Sequence, residues 1–191
     1  QKIIDSNMPA LILEDDALLS KCVPELLKSF TNKQSVDLIN LEATGRKKFI
    51  SKIGQDTACN SKLFRLYQDR TGAAGYILWP SGAKKLLQYE REHGIALADA
   101  QIVSCNTLVC YQIEPAAIIQ LEQCTYYDVP TTFAKTLKVT TVSQSNRPKT
   151  HSIFWIKRIS GQIKLGIRIL LLFKKSKRRY IKLNKESFYK K

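Results

Sequence analysis

The chain has 191 residues, of which 44% are hydrophobic, 25% charged and 9% aromatic. This composition can fill one hydrophobic core and excludes a chain that is disordered throughout. Eight Gly and six Pro without a repeat exclude a collagen-like chain, and five Cys are too few for a disulfide scaffold.

The formal net charge of +15 is concentrated at the C-terminal end. Residues 1–146 carry 16 Lys/Arg against 15 Asp/Glu, whereas residues 147–191 carry 15 Lys/Arg against Glu186 alone. A nearly neutral body lacks the basic face of a nucleic-acid-binding domain, and no helix-turn-helix, zinc-finger or RNP-type motif is visible. Nucleic acid is therefore not an expected partner.

The cysteines are odd in number and form no C-x-x-C pair, which favours free, mostly buried thiols in a reducing compartment over a zinc site or a disulfide framework. The first residues lack the basic-then-apolar order of a signal peptide. No stretch approaches the ~20 apolar residues of a membrane span.

Strand and helix patterns alternate along the first half of the chain. The apolar run 9–13 stops at an acidic triplet, which is typical of a buried parallel strand that ends in a polar loop. Residues 17–30 have helical spacing. Further strands are predicted over 36–41, 49–53 and 63–67.

The apolar run 73–79 predicts another strand, after which Ser81 can cap a helix that ends at His93. Residues 109–113 and 117–120 predict a last pair of strands. This alternation predicts an α/β fold with a mixed, largely parallel sheet flanked by helices.

We predict three segments: a domain over residues 1–125, a linker over 126–150 that is rich in Thr, Ser and Gln, and a basic amphipathic tail over 151–191. Residues 153–173 of the tail keep a helical apolar spacing, and a dense basic cluster follows at 174–179.

The acidic triplet is Glu14, Asp15 and Asp16. Clustered carboxylates at the end of a buried strand are costly unless a cation or hydrogen-bond donors offset their charge. Carboxylate oxygens suit Mg²⁺ or Mn²⁺, and such an ion would neutralise a diphosphate. A solvated loop in which Asp16 caps the next helix would show the same pattern, so both interpretations remain open.

Six motifs in a consistent order resemble glycosyltransferase family 25 over about residues 9–121. They are LILEDD (11–16), VDLINLE (36–42), FRLYQDRTGAAGYIL (64–78), SGAKKLL (81–87), ADA (98–100) and YQIEPAAIIQ (111–120). The resemblance implies a GT-A-like, inverting transferase that uses a UDP-sugar, commonly UDP-galactose, in lipopolysaccharide or lipooligosaccharide biosynthesis. It also implies a divalent cofactor, Mn²⁺ ahead of Mg²⁺.

The resemblance assigns roles to individual residues. Glu14, Asp15 and Asp16 fall on the acidic DxD-like motif of the family, with Asp16 the first choice for the metal contact. Asp99 falls where the family has an aspartate, and it would act as general base, although a helix-capping role explains it equally well.

Three further residues are candidates for contact with donor or acceptor. Gly72 and Gly75 would let a sugar or diphosphate approach the backbone. Trp79, at a strand end, would provide a stacking surface for a sugar ring.

The chain departs from the family pattern in two places. No Asn-Leu-x-Arg segment precedes LILEDD, so we expect the domain to be N-terminally incomplete. The family's proline-valine pattern before the later aspartate is replaced by residues 94–98, which weakens the assignment of Asp99.

The apolar stripe and basic residues of the tail, with Trp155, fit a helix on an anionic membrane surface. The expected partners are thus a UDP-sugar, a saccharide or glycolipid acceptor and the inner face of the bacterial cytoplasmic membrane. Two alternatives remain open: a catalytically inactive remnant that acts as a membrane-associated binding protein, and a nucleic-acid-binding protein that uses the basic tail.

Overall fold

A computed structural model describes residues 1–30, 33, 35–130, 167 and 170–188 of the chain. The helices are α1 (Lys2–Ser6), α2 (Val23–Phe30), α3 (Pro80–His93) and α4 (Ala98–Ser104). The strands are β1 (Ala10–Leu13), β2 (Ala17–Leu19), β3 (Leu38–Asn40), β4 (Lys48–Thr57), β5 (Ser61–Gln68), β6 (Gly75–Leu78), β7 (Cys110–Glu114), β8 (Ile118–Gln120) and β9 (Ser176–Arg179).

Seven strands form one mixed sheet in the order β1-β6-β3-β7-β5-β4-β9, and β2 and β8 form a separate antiparallel pair. Within the described strands, only β3 and β7 run parallel. The α/β class is confirmed, but the prediction of a largely parallel sheet was wrong. Short apolar strands that are buried on both faces resemble parallel strands in sequence, because hydrophobicity records burial and not the direction of the neighbouring strand.

The sheet is covered on both faces. Leu38, Tyr76 and Leu78 lie in a core cluster with Ala83 of α3 and Ile102 of α4. The alternate strand residues Ile39 and Ile77 lie in a second cluster with Val23, Leu26 and Phe30 of α2. Successive strand side chains point to opposite faces, so the central strands bury both.

Two local predictions differ from the structure, and one is confirmed. Residues 17–30 form β2 and the shorter helix α2, because Ala17–Leu19 pairs with β8. Helix α3 begins at Pro80, and the Ser81 hydroxyl donates to Asp37 Oδ1 at 2.6 Å and does not cap the helix. All five cysteines are free, as predicted, and Cys105, Cys110 and Cys124 are buried.

The C-terminal segment joins the main sheet. Strand β9 pairs antiparallel with β4, Ile181 is buried, and Leu183 bridges to Ala116. Residues 176–188 therefore belong to the domain, which differs from the predicted boundary at residue 125 and from a separate tail over 151–191.

The predicted linker lies outside the described residues from position 131 onwards, as does almost all of the helix predicted over 153–173. Among the described helices, none has the length and apolar character needed to span a membrane.

Candidate active site

The acidic triplet follows β1 at one edge of the sheet. The Glu14 backbone N–H donates to Ala74 O at 3.0 Å, and Gln120 Nε2 donates to Glu14 Oε2 at 3.1 Å. The Leu121 N–H donates to Asp16 O at 3.0 Å. The loop before β6 and the end of β8 thus hold the triplet in place from both sides.

The triplet carries mutually repelling carboxylates. Burial, and then the charges of Asp16, Asp99 and Asp15, raise the pKa of Glu14, while the bond from Gln120 opposes the shift. Burial likewise raises the pKa of Asp16, with Asp15 adding to the effect. Asp16 Oδ1 is buried and has no hydrogen-bond partner among the described residues. The site therefore lacks a positive charge or a donor at this oxygen.

Asp99 lies in the first turn of α4 and is exposed. Its charge raises the pKa values of Glu14, of Glu42 and of Tyr76, in each case after burial as the larger cause. The predicted general base and the acidic triplet thus lie in one electrostatic neighbourhood, although they are far apart in the sequence.

Glu42, which the sequence analysis did not select, lies directly behind this edge. It follows β3 and is fully buried. Its Oε2 accepts the N–H of Ala74 at 2.9 Å, and its own N–H donates to Asn40 Oδ1 at 2.8 Å. Its Oε1 is buried without a hydrogen-bond partner in the part of the chain that the structure describes. Burial raises the pKa of Glu42 to about 7.

Lys48, at the start of β4, supplies the nearest positive charge to Glu42. Its Nζ donates to Gln112 Oε1 at 2.7 Å and to the Glu42 carbonyl at 3.3 Å, and the lysine is fully buried. Burial lowers the pKa of Lys48 to about 8, against the attraction of Glu42. A buried Glu/Lys pair therefore lies under the acidic triplet.

A sequence signal for this pair existed in the motif VDLINLE. Asn40 and Glu42 are polar residues at an i, i+2 spacing inside an otherwise apolar strand, so both point to the same face. Polar groups that are buried in this way need partners within the protein. The side-chain partners are the Gly72 carbonyl and the Ala74 N–H, and Lys48 and Gln112 bind the backbone carbonyl of Glu42. These partners lie in other segments of the chain, which the sequence pattern alone does not reveal.

Gly72 has φ +100°, a conformation that favours glycine. A Cβ at Gly72 would lie 2.4 Å from Thr44 Cγ2 and 2.6 Å from Glu42 Oε2. The absent side chain therefore makes room for the buried carboxyl, and Asn40 Nδ2 holds the Gly72 carbonyl at 2.8 Å.

Two predicted ligand-contact residues lie in the core. Gly75 is inside β6, where a Cβ would meet Ile118 Cδ1 at 2.2 Å, so its missing side chain accommodates a core residue. Trp79 is buried in the cluster with α2, and it follows the opposite end of β6, about 13 Å from Gly75 along the strand. These positions do not fit the predicted contacts with a sugar.

No group of three or more His, Cys, Asp and Glu side chains in the described residues is arranged to hold a metal ion. The triplet does not by itself form a complete metal site. Mg²⁺ commonly uses only one or two protein carboxylates and takes its other ligands from water and substrate phosphates. Glu14 and Asp16, with its unpartnered oxygen, are a donor set of that kind.

The fold and site define a mixed α/β domain with a carboxylate-rich edge beside a buried charged pair. The family model of glycosyltransferase family 25, described as an LPS biosynthesis protein, matches residues 1–102, and the chain belongs to this family. Membership implies glycosyl transfer related to lipopolysaccharide, with a sugar donor and a saccharide acceptor. No curated protein matches the chain.

Proposed function

We propose that the chain transfers a hexose, galactose being the first candidate, from a UDP-sugar to a saccharide acceptor with inversion at the anomeric carbon. The observation that carries the proposal is the electrostatic convergence of Glu14, Asp16 and Asp99 at one sheet edge in a chain of this family. A donor diphosphate with a cation would relieve the repulsion that raises the carboxyl pKa values.

Asp99 is the proposed general base. Inversion needs a group that accepts the proton of the acceptor hydroxyl on the side opposite the leaving nucleotide. Asp99 is exposed to a ligand and close enough to Glu14 and Glu42 to influence both. By contrast, Glu42 is fully enclosed and cannot reach an acceptor directly.

A divalent ion, Mn²⁺ ahead of Mg²⁺, is the proposed cofactor. Glu14 and Asp16 would hold it, with the exposed Asp15 available as a further ligand. The ion would supply charge neutralisation for a departing nucleoside diphosphate. The unpartnered Asp16 Oδ1 supports this assignment, since a buried carboxylate oxygen is stabilised by a cation.

We also propose that the chain works at the inner face of the bacterial cytoplasmic membrane, where it meets a glycolipid acceptor. Among the described residues, Leu170, Leu171 and Phe173 are exposed, and Lys174 and Lys175 follow immediately. Exposed apolar side chains next to cations suit an anionic lipid surface.

The first experiment measures donor binding and turnover together. UDP-galactose with Mn²⁺ is expected to raise the melting temperature of the wild-type chain, and Asp16→Ala should abolish the shift that depends on Mn²⁺. Asp99→Asn should retain the shift but lower kcat by about 10²- to 10⁴-fold, because it removes a base without removing the donor site.

Asp5→Ala is the matched control, since Asp5 is an exposed carboxylate on α1 that contacts Gln1. It is expected to leave both the melting shift and kcat unchanged. A wild-type chain that melts cooperatively but shows no shift with any UDP-sugar would contradict the proposed function. Full turnover by Asp99→Asn would contradict only the role of Asp99.

A further inference from the structure

A positively charged groove lies beside β5, β7 and β9, on the half of the sheet away from β1. Its volume is about 380 Å³, and Lys62, Phe64, Glu114, Lys177, Arg179 and Lys182 line it. Four of these side chains are cationic and one is anionic. None of them has a role in the proposed transfer chemistry.

The strands bring these cations together from distant parts of the chain. Lys62, near the start of β5, lies opposite Glu114, at the end of β7, in the register of the antiparallel strands. Lys177 and Arg179 are two residues apart on β9, so their side chains share one face of that strand. The Lys182 N–H donates to Glu114 Oε1 at 2.8 Å, which fixes the chain after β9 against the groove.

Two of the four positive charges are already balanced. Arg179 forms a bidentate ion pair with Glu114, and Lys62 Nζ lies 2.9 Å from Asp56 Oδ1. Within the described part of the chain, no carboxylate oxygen lies within 4 Å of the ammonium group of Lys177 or of Lys182. The groove therefore has about two positive charges in excess.

This excess matches one phosphate monoester, which carries about −1.5 to −2 charges at neutral pH. The Phe64 ring, against which the Arg179 guanidinium lies at 4.9 Å, adds an apolar surface to the lining. A cation pair next to an aromatic ring suits a phosphorylated sugar better than an isolated inorganic ion.

The groove and the acidic triplet lie on different halves of the sheet but at the same end of its central strands. Because β3 and β7 run parallel, Glu42 and Glu114 are both at the carboxyl ends of their strands. Six residues after Glu114, the chain reaches Gln120, whose side chain contacts Glu14. On the way, Ile118 forms an isolated β-bridge with Glu42. Six residues span at most about 21 Å, so one extended saccharide can reach both places.

We propose that this groove binds a phosphate group on the saccharide acceptor and so selects phosphorylated acceptors. The inference rests on the proposed transferase function, since it assigns the groove to the acceptor of that reaction. Lys177 and Lys182 contact the phosphate, while the Arg179–Glu114 pair keeps the strand ends in place.

The test uses the full chain and trehalose 6-phosphate, with trehalose as the uncharged probe, in a titration followed by two-dimensional NMR. Trehalose 6-phosphate is expected to shift the amide signals of residues 60–64 and 177–182, and trehalose is not. Lys177→Ser/Lys182→Ser should weaken this binding about tenfold.

Lys84→Ser/Arg178→Ser is the matched control, because it removes the same charge outside the groove. Lys84 is exposed on α3, and Arg178 pairs with Asp69 on the other face of β9. The control is expected to bind as the wild type does. Equal weakening by both double variants would show general charge attraction and would overturn the proposal.

Vesicles containing phosphatidylglycerol provide the arm that separates a lipid headgroup from a sugar phosphate. Loss of vesicle binding in Lys177→Ser/Lys182→Ser, without saturable binding of trehalose 6-phosphate by the wild type, would overturn the proposal in favour of a membrane contact. UDP-galactose binding is measured in parallel. If the chain binds trehalose 6-phosphate but not UDP-galactose, the result would contradict the transferase function and not the phosphate site.

Discussion

Glu42 and Lys48 connect the interior of the protein to the chemistry at its edge. Both are fully buried, yet Glu42 shares its electrostatic environment with Glu14 and Asp99. The Lys48 ammonium contacts the backbone carbonyl of Glu42 and not its carboxylate, so for both groups desolvation outweighs their mutual attraction. The charges of Glu14 and Asp99 raise the pKa of Glu42, so the acidic residues at the surface influence the protonation of the buried carboxyl.

Glu42→Gln is expected to change how stability depends on pH. The folded-state pKa of about 7 lies above the ordinary 4.5, so the folded chain holds more protons between these values. The stability that the neutral carboxyl contributes is present below pH 4.5 and is lost as the pH rises through about 7. Melting temperatures measured from pH 5 to pH 8 should therefore fall for the wild type relative to Glu42→Gln.

Glu186→Gln is the control for this titration, since Glu186 is exposed. Its melting-temperature difference from the wild type is expected to stay flat over the same range. A flat difference for Glu42→Gln as well would mean that Glu42 is ionised to the same extent in the folded and unfolded chains.

At the level of secondary-structure elements, strand β9 places residues 176–179 within the domain. It extends the sheet beyond β4, and the Arg179–Glu114 ion pair joins it to the end of β7. The basic residues of this segment look like a solvated tail in sequence, since three of the four residues of the strand are cationic. Backbone pairing with β4 and a buried carboxylate partner give the segment a fixed place.

Arg179→Met is expected to destabilise the protein by about 2 kcal/mol, because it leaves the buried Glu114 carboxylate without its guanidinium. Arg178→Met, on the opposite face, loses only an exposed contact of 3.6 Å to Asp69 and should cost less than about 0.5 kcal/mol. Urea unfolding measures both. Equal stability of the two variants would show that β9 is not held through Glu114.

The distribution of charge and apolar surface over the whole molecule suggests how it meets its acceptor. Among the described residues, Leu170 and Leu171 are each 76% exposed and Phe173 is 71% exposed, and Lys174 and Lys175 come next in the chain. The acidic triplet follows β1, which is the edge strand of the sheet opposite β9. Under the proposed function, residues 170–175 would contact the membrane while the acidic triplet stays free for the donor.

Leu171→Ser/Phe173→Ser is expected to weaken binding to vesicles that contain phosphatidylglycerol about tenfold, because apolar contact with the lipid is lost. Ile95→Ser/Leu97→Ser is the control, since these side chains are also exposed but lie before α4. Co-sedimentation measures binding, which should also fall as NaCl rises from 0.1 to 0.5 M. Equal loss in both double variants would contradict docking through residues 170–175.

The sequence by itself was sufficient for the family, the α/β class and most element positions. Apolar runs that end in polar residues located β1, β3 and β6, and two further strand patterns lie within β4 and β5. These features depend on local patterns of burial, which each segment carries in its own residues. The acidic triplet was visible for the same reason.

Only the tertiary structure decided strand direction, the partners of buried charges and the boundary of the domain. Glu42, Lys48 and Gln112 come from three strands, and their contacts arise from the strand order. The position of Trp79 at a strand end predicted an exposed aromatic side chain, but in the structure it packs against α2 and is buried. Pairing and enclosure are relations between distant segments, so a local sequence pattern does not record them.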